Sequence, residues 1–216
     1  MATQAERVLA TPKALKEYLE ILPSTLQLRF PSTTSLKGDL AVIMIIYNAV
    51  TQCVLLGAYD TTLSGLPKDE VTIDGEDHTT ALIEEKPFNV LRFGVIKETG
   101  LVLTDSKWLG FPKRVDNTNN DLDINFHEKH YALINGFKGS VRIPDPILNP
   151  KIKEFVWVKA FLLDMIFDQH LTLFGVATKP HPQQEAYNRF IQSRKKKSTV
   201  VTLKEMLKGR FPRHRH

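Results

Sequence analysis

The sequence has little cysteine, and it lacks an apolar stretch long enough to serve as a membrane span or a signal peptide. Its single cysteine, Cys53, excludes an internal disulfide, and its place in the apolar run 50–56 predicts a buried, unreactive thiol. The longest apolar stretch, residues 40–56, is interrupted by polar residues and falls short of the roughly 20 residues that cross a bilayer. The first ten residues lack the apolar core of a signal peptide. These features predict an intracellular protein.

The motifs of common enzyme classes are missing as well. None of the 11 glycines belongs to the closely spaced set that lets backbone amides surround a phosphate, and no Gly-x-Ser-x-Gly turn is present. With one cysteine, a zinc site would have to be built from histidines and carboxylates. The sequence therefore predicts a non-enzymatic protein without a cofactor. A small enzyme whose site is assembled from dispersed residues is an alternative.

Two groups of residues offer metal ligands, but their spacing argues against a site. His127 and His130 lie three positions apart, which places their imidazoles on opposite faces of a strand. Asn119, Asp121 and Asp123 provide oxygen ligands that Ca²⁺ accepts, but the glycine and the terminal glutamate of an EF-hand loop are missing. We therefore predict no metal site in the protomer. If Asp121 and Asp123 bind Ca²⁺, we expect them to do so in a site shared between subunits.

The hydrophobic pattern predicts a body made mainly of β-strands. Residues 26–30 alternate between apolar and polar types, and the apolar runs 40–47 and 50–59 are bounded by Gly, Asn or Asp. Residues 155–163 favour a strand by composition, with a buried helix as the alternative. A hairpin is predicted from a strand at 88–97, a turn at 98–100 and a returning strand at 101–103. Four further strands are predicted at 122–126, 131–134, 141–143 and 171–177. About seven or eight strands predict a mainly β fold, an antiparallel jelly-roll-like sandwich over residues 26–178, or an α+β fold if 155–167 is helical.

Helices are predicted at the two ends of the chain. Thr11 and Pro12 supply an N-cap and a first-turn proline, and apolar residues follow at helical spacing until Pro23. Residues 182–193 have one apolar face, and a capping box at 202–205 predicts another short helix at 203–208. The chain is thus divided into an N-terminal helical segment (1–25), a β-rich domain (26–180) with a loop region at 60–85, and a C-terminal tail (181–216).

Positive charge is concentrated in that tail. Residues 181–216 hold ten Lys and Arg against two Glu, a net charge of +8, whereas residues 1–180 have a net charge of −3. Such a tail can follow a phosphate backbone or approach an anionic membrane surface. The predicted nucleic-acid-binding residues are Arg189, Arg194, Lys195, Lys196, Lys197, Lys204, Lys208, Arg210, Arg213 and Arg215. The run 194–197 is also a candidate nuclear-localisation patch.

One part of the sequence is similar to a known family. The order Arg92-Phe93-x-Val95-Ile96-Lys97, a short hairpin and an extended segment at 125–134 follow an apolar strand that ends in Ile45-Ile46-Tyr47. This order resembles the small single-jelly-roll viral coat proteins over residues 26–178. The basic arm of those proteins usually precedes the jelly roll, whereas here it follows.

The resemblance implies a viral structural protein. We expect a coat-type protein that forms homo-oligomers in a virion and binds RNA or single-stranded DNA through its tail. The alternatives are a viral matrix or membrane-surface adaptor protein and the small enzyme named above.

Overall fold

The computed structural model describes residues 6–34, 40–63, 87–110, 128–144, 146, 149–167 and 182–208, with the side chains of the last range described to Lys195. Eight strands, four α-helices and one 3₁₀-helix lie within these residues. Their order is β1 (Arg7–Leu9), α1 (Pro12–Ile21), β2 (Leu26–Arg29), β3 (Ser32–Thr34), β4 (Leu40–Asn48), β5 (Cys53–Asp60), α2 (Pro87–Thr99), β6 (Val102–Trp108), β7 (Glu128–Lys138), β8 (Ile152–Lys159), the 3₁₀-helix (Ala160–Leu162), α3 (Asp164–Phe167) and α4 (Pro182–Lys208).

The strands of the described residues form one mixed sheet and not an antiparallel jelly-roll sandwich. The strand order is β1-β8-β5-β4-β7-β6, with β1 parallel to β8 and β4 parallel to β7. The predicted antiparallel sandwich is therefore not found, and the architecture of the described residues is mixed α/β. The physical reason is visible in β4 and β5, whose apolar runs are buried along almost their whole length. A strand that is covered by helices on both faces has a continuous apolar sequence. The core strands of a sandwich can have the same sequence pattern, so the two folds are not distinguished by it. The predicted strand-rich body with a helix near each end of the chain is confirmed.

The central hairpin of the sheet opens away from its turn. β4 and β5 pair only through Tyr47 with Val54 and Asn48 with Cys53. Further along, β2 pairs with β5 and β3 pairs with β4, so residues 26–34 lie between the two diverging strands. The opening separates the sheet into two halves that share one end.

Helices pack on both faces of the sheet and enclose two apolar cores. One core holds the inward residues of α1, α3 and α4, and Phe30 stacks on Phe167 within it at a centroid distance of 4.9 Å. The other core lies beneath α2 and contains Leu91, Met44 and Trp157. The result is a three-layer arrangement in which α2 alone, among the described helices, covers the second face.

The segment predicted as a strand at 88–97 is helix α2, so the hairpin predicted at 98–100 is absent. Leu91, Val95 and Glu98 recur at helical spacing and are buried, which a helix docked by one face requires. Gly94 allows α2 to approach β3, because a Cβ at this position would lie 2.2 Å from Cγ2 of Thr33. Gly100 ends the helix with a φ of +78°, a conformation that favours glycine.

The remaining predictions on elements had mixed outcomes. The helix after Thr11 and the strands at 26–30, 40–47, 50–59 and 131–134 are confirmed within small shifts of their ends. The strand at 101–103 extends through β6, and residues 155–163 divide between the end of β8 and the 3₁₀-helix. Residues 141–143 form no strand, and the two predicted C-terminal helices are one continuous helix, α4. The predicted strands at 122–126 and 171–177 lie outside the described residues, as does most of the predicted loop region at 60–85.

Candidate active site

The tail residues predicted to bind nucleic acid have different surroundings. Arg189 contacts the protein itself: its Nε donates to Glu185 at 2.6 Å, its Nη1 donates to the carbonyl of Leu109 at 2.5 Å, and its guanidinium lies 4.7 Å from the centroid of the Tyr131 ring. Arg189 therefore fastens α4 to the sheet.

Other members of that set lie further along α4. Arg194 lies over the ring of Tyr47, at 5.1 Å from its centroid. Lys195, Lys196, Lys197, Lys204 and Lys208 belong to α4, and beyond Lys195 only the backbone is described. Arg210, Arg213 and Arg215 lie outside the described residues. The binding role of the set stays a prediction.

The metal candidates do not meet in the described part of the chain. His130 is buried in β7, with its ring 5.5 Å from that of Trp108, while His127, Asn119, Asp121 and Asp123 lie outside the described residues. Among the residues that are described, no three His, Cys, Asp or Glu side chains converge on a common point. Cys53 is a free, buried thiol. Within the same residues, no helix combines the length and apolar character needed to cross a bilayer.

The feature that sequence patterns did not indicate is a buried carboxyl group. Glu98, in the last turn of α2, is 8% exposed, and its carboxylate accepts a hydrogen bond from the Asn149 side-chain amide. Burial raises the pKa of Glu98 to about 7, against the lowering effects of Lys97, Asn149 and Arg142. A glutamate with this pKa is partly protonated at neutral pH, so it can both accept and donate a proton.

The end of α2 is held in place by Arg142. Its Nη2 donates to the carbonyls of Ile96 and Lys97 at 2.9 and 2.5 Å, and its backbone N–H donates to the carbonyl of Thr99 at 2.8 Å. The last carbonyls of a helix lack partners within the helix and carry partial negative charge, which a guanidinium complements. The segment around Arg142 thereby fixes the turn of helix that carries Glu98.

A second buried ionisable group lies close to Glu98. Tyr59, near the end of β5, is 9% exposed, and burial raises the pKa of its hydroxyl, with the charge of Glu98 acting in the same direction. Gly57 leaves room for this ring, because a Cβ there would lie 2.8 Å from Cε2 of Tyr59 and 3.3 Å from Cε1 of Phe155. A carboxyl and a phenol thus share one poorly solvated region beside Phe155.

Next to this region lies a cleft of about 100 Å³. Arg142, Phe155 and Trp157 contribute to its walls. Glu6, also in the wall, accepts hydrogen bonds from Nε1 of Trp157 at 2.8 Å and from the backbone N–H of Val141 at 2.9 Å. A cleft of this volume is large enough for water molecules or one small polar group. Arg142 connects the two features, since it lines the cleft and its charge acts on Glu98.

The comparisons with known proteins give little. No family model matches the chain, and no curated protein matches it. A solved structure of MutT, from a study of the proteins of Aliivibrio salmonicida and Vibrio cholerae, is similar with 14% sequence identity and a TM-score of 0.40, over 70% of this chain and 95% of that one.

The expectation of a coat-type viral structural protein is contradicted, because the described strands form a mixed sheet and not the jelly roll on which that expectation rested. The expectation of a chain without enzymatic activity rested on missing motifs, and the buried carboxyl of Glu98 with its raised pKa argues against it.

Proposed function

We propose that the chain is a small enzyme in which Glu98 acts as general acid–base. The observation that carries the proposal is this buried carboxyl at the end of α2, with a pKa raised to about 7 beside a cleft. Groups with strongly displaced pKa values in or near clefts are typical of catalytic sites, because proton transfer is fastest when the pKa lies near the working pH.

The neighbouring side chains support a defined division of roles. Glu98 exchanges the proton, and Asn149 holds its carboxyl in one orientation through the hydrogen bond. Arg142 and Arg7 line the cleft together with the carboxylates of Glu6 and Glu154, and Arg142 provides an anchor for a carbonyl oxygen or an oxyanion. Trp157 and Phe155 supply apolar surface to the walls of the cleft. This set fits an acid–base reaction, such as a hydrolysis, on one small polar group of a substrate.

The role of Glu98 is tested by the variant Glu98→Gln, with Glu20→Gln on the exposed surface of α1 as the matched control. Hydrolysis of a panel of small anionic chromogenic esters is measured from pH 5 to 9. General acid–base catalysis contributes about 10² to 10⁴-fold, so we expect Glu98→Gln to lose at least about 100-fold in rate while Glu20→Gln does not. The wild-type rate should change around pH 7.

A second measurement does not depend on the choice of substrate. The carboxyl carbon of Glu98 is followed by ¹³C NMR during a pH titration, with assignment by loss of the signal in Glu98→Gln. A midpoint near 7 supports the proposal. A midpoint near the ordinary glutamate value of 4.5 would refute it, as would equal rates for Glu98→Gln and the wild type.

A further inference from the structure

Helix α4 runs along its face of the sheet toward the turn that joins β4 to β5. In its first turn, the Gln183 side chain exchanges hydrogen bonds of 2.7 and 3.2 Å with the main chain of Phe30, beside the middle of β4. Seven residues later, Phe190 packs against Tyr47, near the end of β4, with ring centroids 5.6 Å apart. The axis of α4 therefore points to the end of the sheet at which β4 and β5 meet.

A basic run begins at this end. Arg194 lies 5.1 Å from the centroid of the Tyr47 ring, so this cation is fixed next to the last residues of β4. Lys195, Lys196 and Lys197 are the next positions of the same helix, which continues to Lys208. Four consecutive cations thus start where the turn between β4 and β5 lies.

Two apolar side chains are exposed at the same end. Val50, in the turn between β4 and β5, is 94% exposed, and Phe161, in the 3₁₀-helix after β8, is 65% exposed. The two segments are joined by a hydrogen bond of 2.9 Å from the backbone N–H of Ala160 to the carbonyl of Gln52. Val50 and Phe161 therefore form an apolar pair at one end of the molecule.

We propose that this end of the molecule, the apolar pair Val50 and Phe161 together with the basic run 194–197, docks on an anionic bilayer surface. Cations near such a surface are attracted by its negative potential, and exposed apolar side chains gain by entering the boundary between headgroups and acyl chains. A nucleic acid would use the cations equally well but gives an aliphatic side chain such as Val50 no base-stacking contact. The combination of charge and apolar tips favours the bilayer. This docking is independent of the acid–base role of Glu98.

The basic run is tested with the full chain on phosphatidylcholine vesicles with and without phosphatidylserine. The double variant Lys196→Gln/Lys197→Gln removes two charges from the run. The control, Lys13→Gln/Lys16→Gln, removes two exposed charges from α1. Each basic residue near an anionic surface contributes about fivefold in affinity, so we expect the first variant to bind phosphatidylserine vesicles about 25-fold more weakly and the control to bind as the wild type does.

The apolar pair is tested with Val50→Ser/Phe161→Ser, which removes apolar surface without adding charge. The control is Ile21→Ser, a 73% exposed position at the end of α1. The nearby Thr25 pairs through its carbonyl with the backbone N–H of Thr61, so Ile21 lies toward the other end of β5. Because both side chains of the pair are exposed, the double variant should keep the wild-type thermal transition. We expect at least a tenfold loss of vesicle affinity for the double variant and none for the control.

Three outcomes would overturn the proposal. The first is vesicle binding that neither variant weakens. The second is a vesicle affinity that the lysine variant lowers but the apolar-pair variant does not, which would mean that the contact is made by charge alone. The third is no vesicle binding together with lysine-dependent binding of a single-stranded oligonucleotide, which assigns the basic run to nucleic acid. Loss of binding in both variants but in neither control supports the docking.

Discussion

Burial of Glu98 makes the stability of the protein depend on pH in a defined direction. The pKa of this carboxyl is about 7 in the folded protein and 4.5 in a solvated glutamate, so between these values the folded state binds a proton that the unfolded state has released. The free energy of unfolding therefore falls as pH rises, by about 1.4 kcal/mol per pH unit. Across the whole interval the loss amounts to about 3 kcal/mol. The stabilisation that results from proton binding to Glu98 is fully present below pH 4.5 and is lost above pH 7.

The assay is urea unfolding of the wild type and Glu98→Gln at half-unit steps from pH 5 to 8, with Glu20→Gln as the exposed control. Glutamine keeps the size of the side chain but cannot titrate, so the difference between the two free energies isolates Glu98 from all other titrating groups. We expect this difference to change by about 2 to 3 kcal/mol between pH 5 and 8, with the variant gaining relative to the wild type as pH rises. Parallel curves for the wild type and Glu98→Gln would refute the reasoning.

Two further substitutions test how the helices that flank the sheet are positioned. Gly94→Ala should lower the free energy of unfolding, measured by urea denaturation, by about 1–3 kcal/mol. Alanine has the better helix propensity, but its Cβ would collide with Thr33. A gain in stability would show that α2 is not in close contact with β3. Arg189→Ala should cost about 1–3 kcal/mol and speed proteolysis within α4, since it removes the hydrogen bonds to Glu185 and Leu109, and an unchanged cleavage rate would contradict this role.

Sequence patterns predicted the central strands and α1 but not the way in which they assemble. An apolar run such as residues 40–47 occurs in the core strands of sandwiches and in sheets covered by helices, so its composition does not distinguish the two. The two folds differ in how their strands pair. Here β4 is parallel to β7, a partner that lies far away in the sequence. Segment 88–97 contains β-branched and aromatic residues whose local preference is for a strand, and packing against Met44 and Leu55 overrode that preference.

The candidate site was hidden by the same error. A hairpin turn at 98–100 places Glu98 in solvent, whereas the last turn of a docked helix places it in the core. Asn149 and Arg142, which hold Glu98 and the end of its helix, are more than 40 positions further along the chain. No motif spacing indicates such a set. By contrast, the charge of the tail was readable from composition, although the internal contacts of Arg189 were not.

The pairing of the sheet has a consequence for synthesis of the chain. Leu40 in β4 pairs with Glu128, and Arg7 in β1 pairs with Val156, so one edge of β4 and the whole of β1 gain their partners only after many further residues have been synthesised. At about 5–20 residues per second, the apolar residues of β4 wait on the order of 5 to 20 seconds for β7. During that interval the edge of β4 that will pair with β7 stays unpaired, and chaperones that shield such edges should raise the yield of native protein.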